Sequence, residues 1–407
     1  MVQIPREAPW NAFESSEAEW DDWRWQARHA IDSQERIERF VRLTDDERRG
    51  IAHARTALPF RVTPHFLSLI DPENPACPLR RQVIPSAAEA VGSQGELRDP
   101  LGEDSHSPVP GLVHKYESHV LLLVTDRCAA YCRHCTRRRL AGGVEHRREG
   151  EGMRGEGALN EAAMGTRDLP RAIDYIARHR EIRDVLISGG DPLMLSDDRL
   201  EALLSALRAI DHVEIIRIGT RALAFNPMRV TDRLAALLRR FAPLYVVTHF
   251  NHARELSPRS VAACGRLVDS GIVLDNQTVL LRGINSEAAV LKALFERLLV
   301  ARVRPYYLHQ LDLAKGIEHF RTPLSTGVDI LRALRGRTSG LAIPHLAVDL
   351  PGGHGKITMG PDFVESVNAS GTVFRDWKGE ICPQPYPEPR ERDCGCPGET
   401  PRAQRLD

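Results

Sequence analysis

The chain has 407 residues, enough to bury a large core and to form two domains or one domain with extensions. Its 55 Lys and Arg residues balance 55 Asp and Glu residues, so the zero formal net charge indicates neither a nucleic-acid nor a membrane partner. No run approaches the roughly 20 consecutive apolar residues that span a bilayer, and the polar N-terminus lacks the apolar core of a signal sequence, so we expect a cytoplasmic protein.

Residues 1–110 are predicted to form a mostly helical N-terminal region. Trp20, Trp23 and Trp25 have helical spacing and are interpreted as packing anchors. Thr44 is a candidate N-cap with Glu47 three residues later, the pattern of a capping box. Residues 85–110 carry many Pro, Gly, Ser and acidic residues and are predicted to wrap the surface.

Residues 111–350 alternate short apolar runs with amphipathic stretches, which predicts an α/β fold built of βαβ units around a parallel sheet. Six units are too few for a closed eight-stranded barrel and suit a partial (β/α)6 barrel, to which residues 346–348 add a further strand. The six runs are 120–124, 184–187, 213–218, 244–247, 277–281 and 304–308.

Three cysteines follow the first of these runs, in the order Cys128, Cys132 and Cys135. A structural zinc site takes four ligands. The three cysteines could therefore be part of a zinc site, three unrelated thiols, or the ligands of a different centre. Three thiolates on a [4Fe–4S] cluster would leave one iron open to bind S-adenosylmethionine (SAM). The position after a strand favours this third interpretation, because barrel enzymes place their chemistry at the C-terminal ends of strands. The arginines at 137–139 are interpreted as a local anion site.

Two segments depart from the alternating pattern. Residues 141–167 have no apolar period and are predicted to be an inserted, mobile surface loop. The tail from about residue 383 is rich in Pro and charge and is expected to be poorly ordered. The predicted organisation is therefore a helical region at 1–110, a partial barrel at 111–350 and a C-terminal extension at 351–407.

Six longer segments carry a resemblance to a known family. Together, in this order, they resemble lysine 2,3-aminomutases, which are radical SAM enzymes that also use pyridoxal 5′-phosphate (PLP), and the likeness runs from about residue 20 to about residue 396. The segments are CAAYCRHCTRRRLAG (128–142), SGGDP (188–192), THFNH (248–252), LRGIN (281–285), HFRTP (319–323) and PGGHGK (351–356).

The resemblance implies a cluster site and a SAM site. Cys128, Cys132 and Cys135 would ligate a [4Fe–4S] cluster whose open iron binds SAM. Five other residues match family positions near SAM, and the glycines among them would let the backbone approach a ligand closely. These five are Gly189, Gly190, Asp191, His249 and Gln277.

The resemblance also implies that Lys356 carries PLP covalently, on a flexible glycine-rich loop that lets the lysine leave the cofactor. A phosphate-binding loop is a poor alternative, because Ile357 follows the lysine where that motif needs Ser or Thr. Lys115, Tyr116 and His119 match positions that contact PLP, and His119 replaces the family's usual arginine.

Three further residues would hold the substrate. Arg137 matches the arginine that binds the α-carboxylate, while Asp312 and Asp349 match the two acids that bind the side-chain ammonium of lysine. The implied function is that of an isomerase that converts L-lysine into L-β-lysine. His309 replaces a tyrosine of the lysine enzymes, which leaves arginine as an alternative substrate. An iron–sulfur binding or electron-transfer protein is a third possibility, but it would need none of these groups.

The family's zinc site near the C-terminus is only half matched. Cys394 and Cys396 agree with it, whereas Glu399 and Glu287 replace cysteines and Cys382 is an uncertain spare ligand, so zinc is not expected. The expected partners are an amino acid as small-molecule substrate, an electron donor such as flavodoxin or ferredoxin, and further copies of the chain.

Overall fold

The computed structural model describes residues 3, 7–143, 168–368 and 371–386. The chain divides into two compact units, Met1–Gly360 and Pro361–Asp407. The predicted boundaries at 110 and 350 stay predictions. Most of the predicted insertion, from residue 144, and the tail from residue 387 lie outside the described residues.

Within the described residues, one sheet in the first unit has nine strands, which neighbour one another in the order of the chain. Strands β2 to β8 are parallel, and the edge strands β1 and β9 are antiparallel to their neighbours. The strands are β1 Leu112–Tyr116, β2 His119–Thr125, β3 Asp184–Gly189, β4 Ile215–Gly219, β5 Leu244–Thr248, β6 Val273–Leu280, β7 Arg304–Gln310, β8 His345–Leu350 and β9 Gly355–Met359. The six predicted runs fall on β2 to β7, and the predicted further strand is β8, which confirms the α/β partial barrel.

Short helices dominate the N-terminal region, and longer helices connect the parallel strands. The α-helices in the described residues are α1 Glu17–Trp20, α2 Trp23–Arg28, α3 Gln34–Ile37, α4 Asp45–Ala54, α5 Pro64–Leu67, α6 Arg80–Val83, α7 Leu169–Arg178, α8 Asp197–Arg208, α9 Ala222–Phe225, α10 Asp232–Arg239, α11 Pro258–Asp269, α12 Ala288–Val300 and α13 Leu324–Leu334. None of the described helices has both the length and the apolar character that would cross a membrane.

Local capping explains where several of these helices begin. The side chains of Ser196, Thr231 and Ser257 accept backbone hydrogen bonds at the starts of α8, α10 and α11. Thr44 and Glu47 form the predicted capping box at α4. Such caps satisfy donors that the first helical turn leaves unpaired.

The two faces of the sheet differ in polarity. Ile216 and Ile218 on β4 are fully buried in the core that the connecting helices cover, and Arg217 between them faces the other side. On β7, Leu308 is likewise buried between Tyr307 and His309. The enclosed side of the sheet is therefore lined by polar groups.

A side-chain contact joins the two edges of the sheet. The Tyr116 hydroxyl, at the end of β1, accepts a hydrogen bond of 2.8 Å from the backbone N–H of Lys356 on β9. The sheet is thus nearly closed without a ladder between its first and last strands.

The three predicted packing anchors are buried. Trp20, Trp23 and Trp25 form an apolar cluster with Met228, and their exposed fractions are 0%, 6% and 6%. In the second unit, β10 Val364–Asn368 and β11 Gly371–Phe374 form an antiparallel hairpin.

Candidate active site

The three cysteines lie in the segment that follows β2, and all three thiols are free. Burial raises the pKa of Cys128 well above its ordinary value and raises that of Cys135 to about 11, and the neighbouring cysteines raise both further. Thiols in such a setting ionise when a metal binds them, because coordination favours the thiolate.

Among the described residues, no three His, Cys, Asp or Glu side chains are grouped closely enough to hold a single metal ion. A four-iron cluster takes one thiolate per iron, so its ligands are spread apart. Three free thiols in one short segment are therefore compatible with ligation of such a cluster.

The glycines at the end of β3 bring this strand against the cysteine segment. A Cβ atom on Gly189 would lie 2.3 Å from the Thr125 carbonyl oxygen, and one on Gly190 would lie 2.4 Å from that of Arg127. Gly189 also has a φ of +120°, which only glycine adopts readily. These glycines therefore approach the backbone at the end of β2 and at Arg127, which directly precedes Cys128. Their predicted contact with SAM stays a prediction.

Asp191 is buried, with an exposed fraction of 3%, and its carboxylate accepts hydrogen bonds from within the protein. The donors are the Thr220 hydroxyl at 2.6 Å and the backbone N–H groups of Arg221 at 2.8 Å and Leu193 at 3.0 Å. In this structure Asp191 therefore joins the ends of β3 and β4, and its pairing with the SAM ammonium also stays a prediction.

His249 and Gln277 lie at β5 and β6. His249 follows β5 and its Nε2 is 3.0 Å from Asn251 Oδ1, which also accepts from the backbone N–H of Val279. Nε2 of His249 must therefore be the protonated nitrogen. Burial, aided by the charge of Arg221, lowers the pKa of His249 well below its ordinary value, so the ring is neutral. Gln277 pairs with Tyr307 across β6 and β7.

His134, between Cys132 and Cys135, supplies a buried donor that sequence reasoning missed. Its Nε2 faces two donors, Asn251 Nδ2 at 3.2 Å and Arg221 Nη1 at 3.4 Å, so the proton is on Nδ1. Nδ1 has no hydrogen-bond partner within the described part of the chain. A buried donor beside the cysteines is a feature that a polar ligand such as SAM can satisfy.

Lys356 lies on β9 and not in a loop, which corrects the prediction of a flexible glycine-rich loop around it. Only the turn Pro351–Gly353 and His354 separate β8 from β9, and Asp349 pairs with Lys356 across the antiparallel ladder. The ladder fixes the lysine backbone, so freedom of movement resides in its side chain.

The Lys356 ammonium faces an acid and a histidine. Nζ donates to Asp349 Oδ2 at 2.6 Å and lies 3.3 Å from His309 Nδ1 and 5.4 Å from the centre of the Tyr307 ring. Although burial opposes it, hydrogen bonding from His309 and the charge of Lys356 hold the pKa of Asp349 well below its ordinary value. Asp349 is therefore ionised.

Asp312, the second predicted acid, follows β7 and accepts a hydrogen bond of 2.5 Å from the Thr136 hydroxyl in the cysteine segment. Burial raises its pKa, the Thr136 hydrogen bond opposes that shift, and the negative charge of Asp349 adds to it. The two acids are thus close enough to interact, and their environments push their pKa values apart.

The three arginines of the predicted anion site at 137–139 each donate to a carboxylate of the chain itself. Arg137 Nε donates to Glu103 at 2.8 Å, Arg138 to Glu89 at 2.6 Å and Arg139 to Asp104 at 2.8 Å. Glu89 and Glu103 are each 5% exposed, so the prediction that 85–110 merely wraps the surface is wrong for these two acids. Their burial is tolerated because each meets a guanidinium.

The remaining predicted PLP contacts lie near β1. Lys115 Nζ donates to the Leu101 carbonyl at 2.5 Å, and the Tyr116 ring stacks on His119 with centres 4.4 Å apart. Burial, with the charge of Arg217, lowers the pKa of His119, so it is a weaker cation than an arginine would be at this position. Of the zinc positions, Glu287 precedes α12 and Cys382 is exposed, whereas Cys394, Cys396 and Glu399 lie outside the described residues.

The most informative residue that sequence reasoning missed is Arg221, which follows β4. Its Nη1 donates to Cys132 Sγ at 2.8 Å. The sequence signal for Arg221 was its position two residues after β4, because barrel enzymes place their chemistry at the C-terminal ends of strands. Glu89, Glu103 and Thr136 gave no such signal, because their partners are distant in sequence.

Comparison with known proteins adds a family to this geometry. A radical SAM superfamily model matches residues 122–274, and a lysine-2,3-aminomutase model matches residues 331–403. The chain is 45% identical to L-lysine 2,3-aminomutase of Clostridium subterminale, over 94% of this chain and 87% of that protein. It is 44% identical to L-lysine 2,3-aminomutase of Bacillus subtilis (strain 168), over 91% and 76%.

A relative with another substrate is also similar. The chain is 37% identical to glutamate 2,3-aminomutase of Clostridioides difficile (strain 630), over 90% of this chain and 83% of that protein. The choice of amino acid must therefore be argued from the residues of the pocket.

Proposed function

Because the chain belongs to the lysine 2,3-aminomutase family of radical SAM enzymes, we propose that it moves the α-amino group of L-lysine to C3 and forms L-β-lysine. As an aminomutase it is an isomerase, and it uses a [4Fe–4S] cluster, SAM and PLP. The observation that carries the choice of lysine is the 2.6 Å contact between Asp349 and an ammonium group, here that of Lys356, beside the second acid Asp312.

The residues that would hold the cofactors follow from the site. Cys128, Cys132 and Cys135 would ligate the cluster, and Lys356 would carry PLP. When bound, these cofactors supply a radical that removes hydrogen from C3 and a conjugated ring that carries the amino group between carbons. The chain supplies orientation and excludes water.

Each end of lysine has a matching group. Arg137 has the planar fork that pairs with a carboxylate, and its Nε donates to Glu103. It follows Cys135 by two residues and is adjacent to Thr136, whose hydroxyl donates to Asp312. A lysine with its α-carboxylate at Arg137 would direct its ε-ammonium towards Asp312 and Asp349. A glutamate side chain would instead bring a third negative charge to these two acids.

His309 favours arginine as the second candidate substrate. Its Nε2 is buried and has no hydrogen-bond partner in the described ranges, while Nδ1 is 3.5 Å from Asp349 Oδ2. Once Lys356 is committed to PLP, an Nδ1–H directed at Asp349 would leave Nε2 as an acceptor. A guanidinium, with five donors, could use that acceptor as well as the two acids.

The test is competition between amino acids in one anaerobic reaction that contains SAM, PLP and dithionite. L-Lysine, L-arginine and L-glutamate are supplied at equal concentration, and the β-amino products are measured by mass spectrometry. L-β-Lysine is expected to exceed the other products. A large excess of β-arginine would overturn the lysine assignment and support the second candidate.

Variants with a matched control test which residues of the pocket select the amino acid substrate. Asp312→Asn and Asp349→Asn are expected to lose about 2–4 kcal/mol of apparent binding for lysine, the scale for breaking a desolvated charge pair. Asp198→Asn, which breaks an exposed ion pair with Arg233, is the control and should change little. His309→Tyr should lower the ratio of β-arginine to β-lysine. Unchanged apparent affinity in both acid variants would remove the acid pair from the proposal.

We further propose that a reduced flavodoxin or ferredoxin supplies the electron, that the chain forms a homo-oligomer, and that it works in the cytoplasm. A thiolate-ligated cluster needs a reducing compartment, which supports the last point. Anaerobic reduction of the cluster by flavodoxin tests the donor, and light scattering of the purified protein tests the oligomeric state. A strictly monomeric mass would overturn the assembly.

A further inference from the structure

We infer that Arg221 is a positioning residue that raises the reduction potential of the cluster by donating a hydrogen bond to Cys132. The inference rests on the proposed ligation of the cluster by Cys132. The observation is the 2.8 Å contact from Arg221 Nη1 to Cys132 Sγ, which is short for a bond to sulfur. For comparison, the hydrogen bond from Arg254 Nη1 to the Sγ of Cys77 measures 3.7 Å.

The guanidinium is held in this position by groups from several elements. Its own backbone N–H donates to Asp191, after β3. Nη2 donates to Gln82 Oε1 on α6 at 2.5 Å and to Glu255 Oε2, between β5 and α11, at 3.2 Å. The guanidinium carbon lies 4.4 Å from the centre of the Phe225 ring. With 6% exposure, Arg221 has little room to turn away from the cysteine.

The charge of Arg221 is only partly neutralised inside the protein. Glu255, which is 0% exposed, is its carboxylate partner, and that carboxylate also accepts from Gln82 Nε2 at 2.9 Å and from the Asn251 N–H at 3.1 Å. Gln82 itself is neutral. His134 near Nη1 is neutral too, because its Nε2 faces the donors Arg221 Nη1 and Asn251 Nδ2 and must therefore accept. The positive charge is therefore divided between Glu255 and the thiolate of Cys132.

This arrangement has a defined effect on electron transfer. Reduction adds one electron to the cluster and removes one from the donor, so the reduced cluster carries one more negative charge. A hydrogen bond and a positive charge at a ligand sulfur stabilise that form more than the oxidised form. Arg221 therefore makes the first electron easier to deliver.

The experiment is a potentiometric titration of the reconstituted full chain, followed by the electron paramagnetic resonance signal of the reduced cluster. It is performed without SAM, PLP or amino acid, and iron and sulfide are quantified in each sample. In Arg221→Gln, at the wild-type midpoint, the ratio of reduced to oxidised cluster should fall about tenfold, which is about 59 mV for one electron. Arg229→Gln, a buried arginine over the Trp23 ring, is the control and should keep the wild-type midpoint.

Arg221→Lys keeps a buried charge but loses the planar fork, so its midpoint should lie below the wild-type value and above that of Arg221→Gln. If Arg221→Gln does not load iron, the midpoint potential of Arg221→Lys tests the inference instead. A wild-type midpoint in whichever of the two variants loads iron fully would overturn the inference. An Arg221 variant that keeps the wild-type midpoint but binds SAM more weakly would also overturn the inference, because Arg221 would then be a SAM ligand.

Failure of the proposed function can be told apart from failure of this inference. The titration contains no substrate, so its outcome does not depend on lysine or arginine. Cys132→Ser with full iron content would refute the ligation itself. A lowered midpoint in the Arg221 variants would stand whichever amino acid is isomerised.

Discussion

At the scale of single residues, the two acids of the pocket differ although both are aspartates. Asp349 is held ionised by His309 and Lys356, whereas burial and the charge of Asp349 raise the pKa of Asp312. Pairs of titratable groups with diverging pKa values are typical of functional sites. The Thr136 hydroxyl contributes most to limiting the upward shift of the Asp312 pKa, and His309 and Lys356 also oppose that shift.

Substrate binding should weaken on acidification, and replacing Thr136 by Val should shift this weakening to higher pH. A cationic substrate binds Asp312 in its ionised form, and that form is lost as pH falls through the raised pKa of Asp312. The Thr136 hydrogen bond favours the carboxylate, so its removal raises that pKa further. The measurement is KM for lysine as a function of pH. Thr136→Ser keeps the hydroxyl and should follow the wild type. Superimposable Val and wild-type profiles would show that this hydrogen bond does not control Asp312.

Lys356 itself occupies part of the proposed cation site when PLP is absent, because its ammonium is bound to Asp349. PLP-free Lys356→Met should thus bind L-lysine more tightly than PLP-free wild-type protein, by about tenfold or 1.4 kcal/mol. Isothermal titration calorimetry measures this difference. L-Norleucine, which has no side-chain charge, should show no gain, and equal lysine affinities in the two proteins would exclude competition by Lys356.

At the scale of elements, a buried carboxylate links the N-terminal region to the cysteine segment. Glu89 accepts from Arg133 and Arg138, each at 2.6 Å. Burial opposes ionisation of Glu89, but the two arginines outweigh it and lower its pKa from 4.5 to about 2. The segment that presents the cysteines is therefore attached by charge as well as by packing.

Glu89→Gln should destabilise the fold by about 3–5 kcal/mol, because it leaves two buried arginines without their carboxylate. In the wild type, a depressed native pKa gives stability that is complete above the unfolded value of 4.5 and is lost as pH falls from there towards 2. In the variant, the free energy of unfolding should not show this decrease between pH 4.5 and about 2. Denaturant unfolding at several pH values measures both effects.

The control for Glu89 is Glu201→Gln, which breaks an exposed pair with Arg240. Exposed pairs contribute about 0–1 kcal/mol, so this control should be nearly neutral. Equal destabilisation by the two substitutions would mean that the buried network has no special role.

At the scale of the whole molecule, PLP should stabilise the chain by linkage. A ligand that binds only the folded state at about 100 times its Kd adds about 2.7 kcal/mol. We expect thermal unfolding of the wild type to shift upward with PLP concentration, and Lys356→Ala to shift much less. Borohydride reduction and peptide mapping should place the PLP label on Lys356. A label on another lysine would refute this anchor.

The sequence alone predicted the parallel strands of the sheet, whereas the antiparallel edge strands β1 and β9 came from the structure. Apolar runs between amphipathic stretches predicted β2 to β8, because side-chain periodicity is a local property of the chain. Thr44 and Glu47 predicted a cap for the same reason. The cysteine spacing and the lysine and acid motifs indicated the family through resemblance, and the family comparisons agree.

Only the tertiary structure decided which partner each charged group meets. Arg221 reaches a cysteine 89 residues away, Thr136 reaches an acid 176 residues away, and the Lys356 N–H reaches a tyrosine 240 residues away. The hydrogen bonds of Asp191 and the close approaches of the glycines before it lie within the protein, and no sequence pattern predicted those partners. Such pairings depend on how the strand ends converge and which groups are buried together, and no local pattern carries that information.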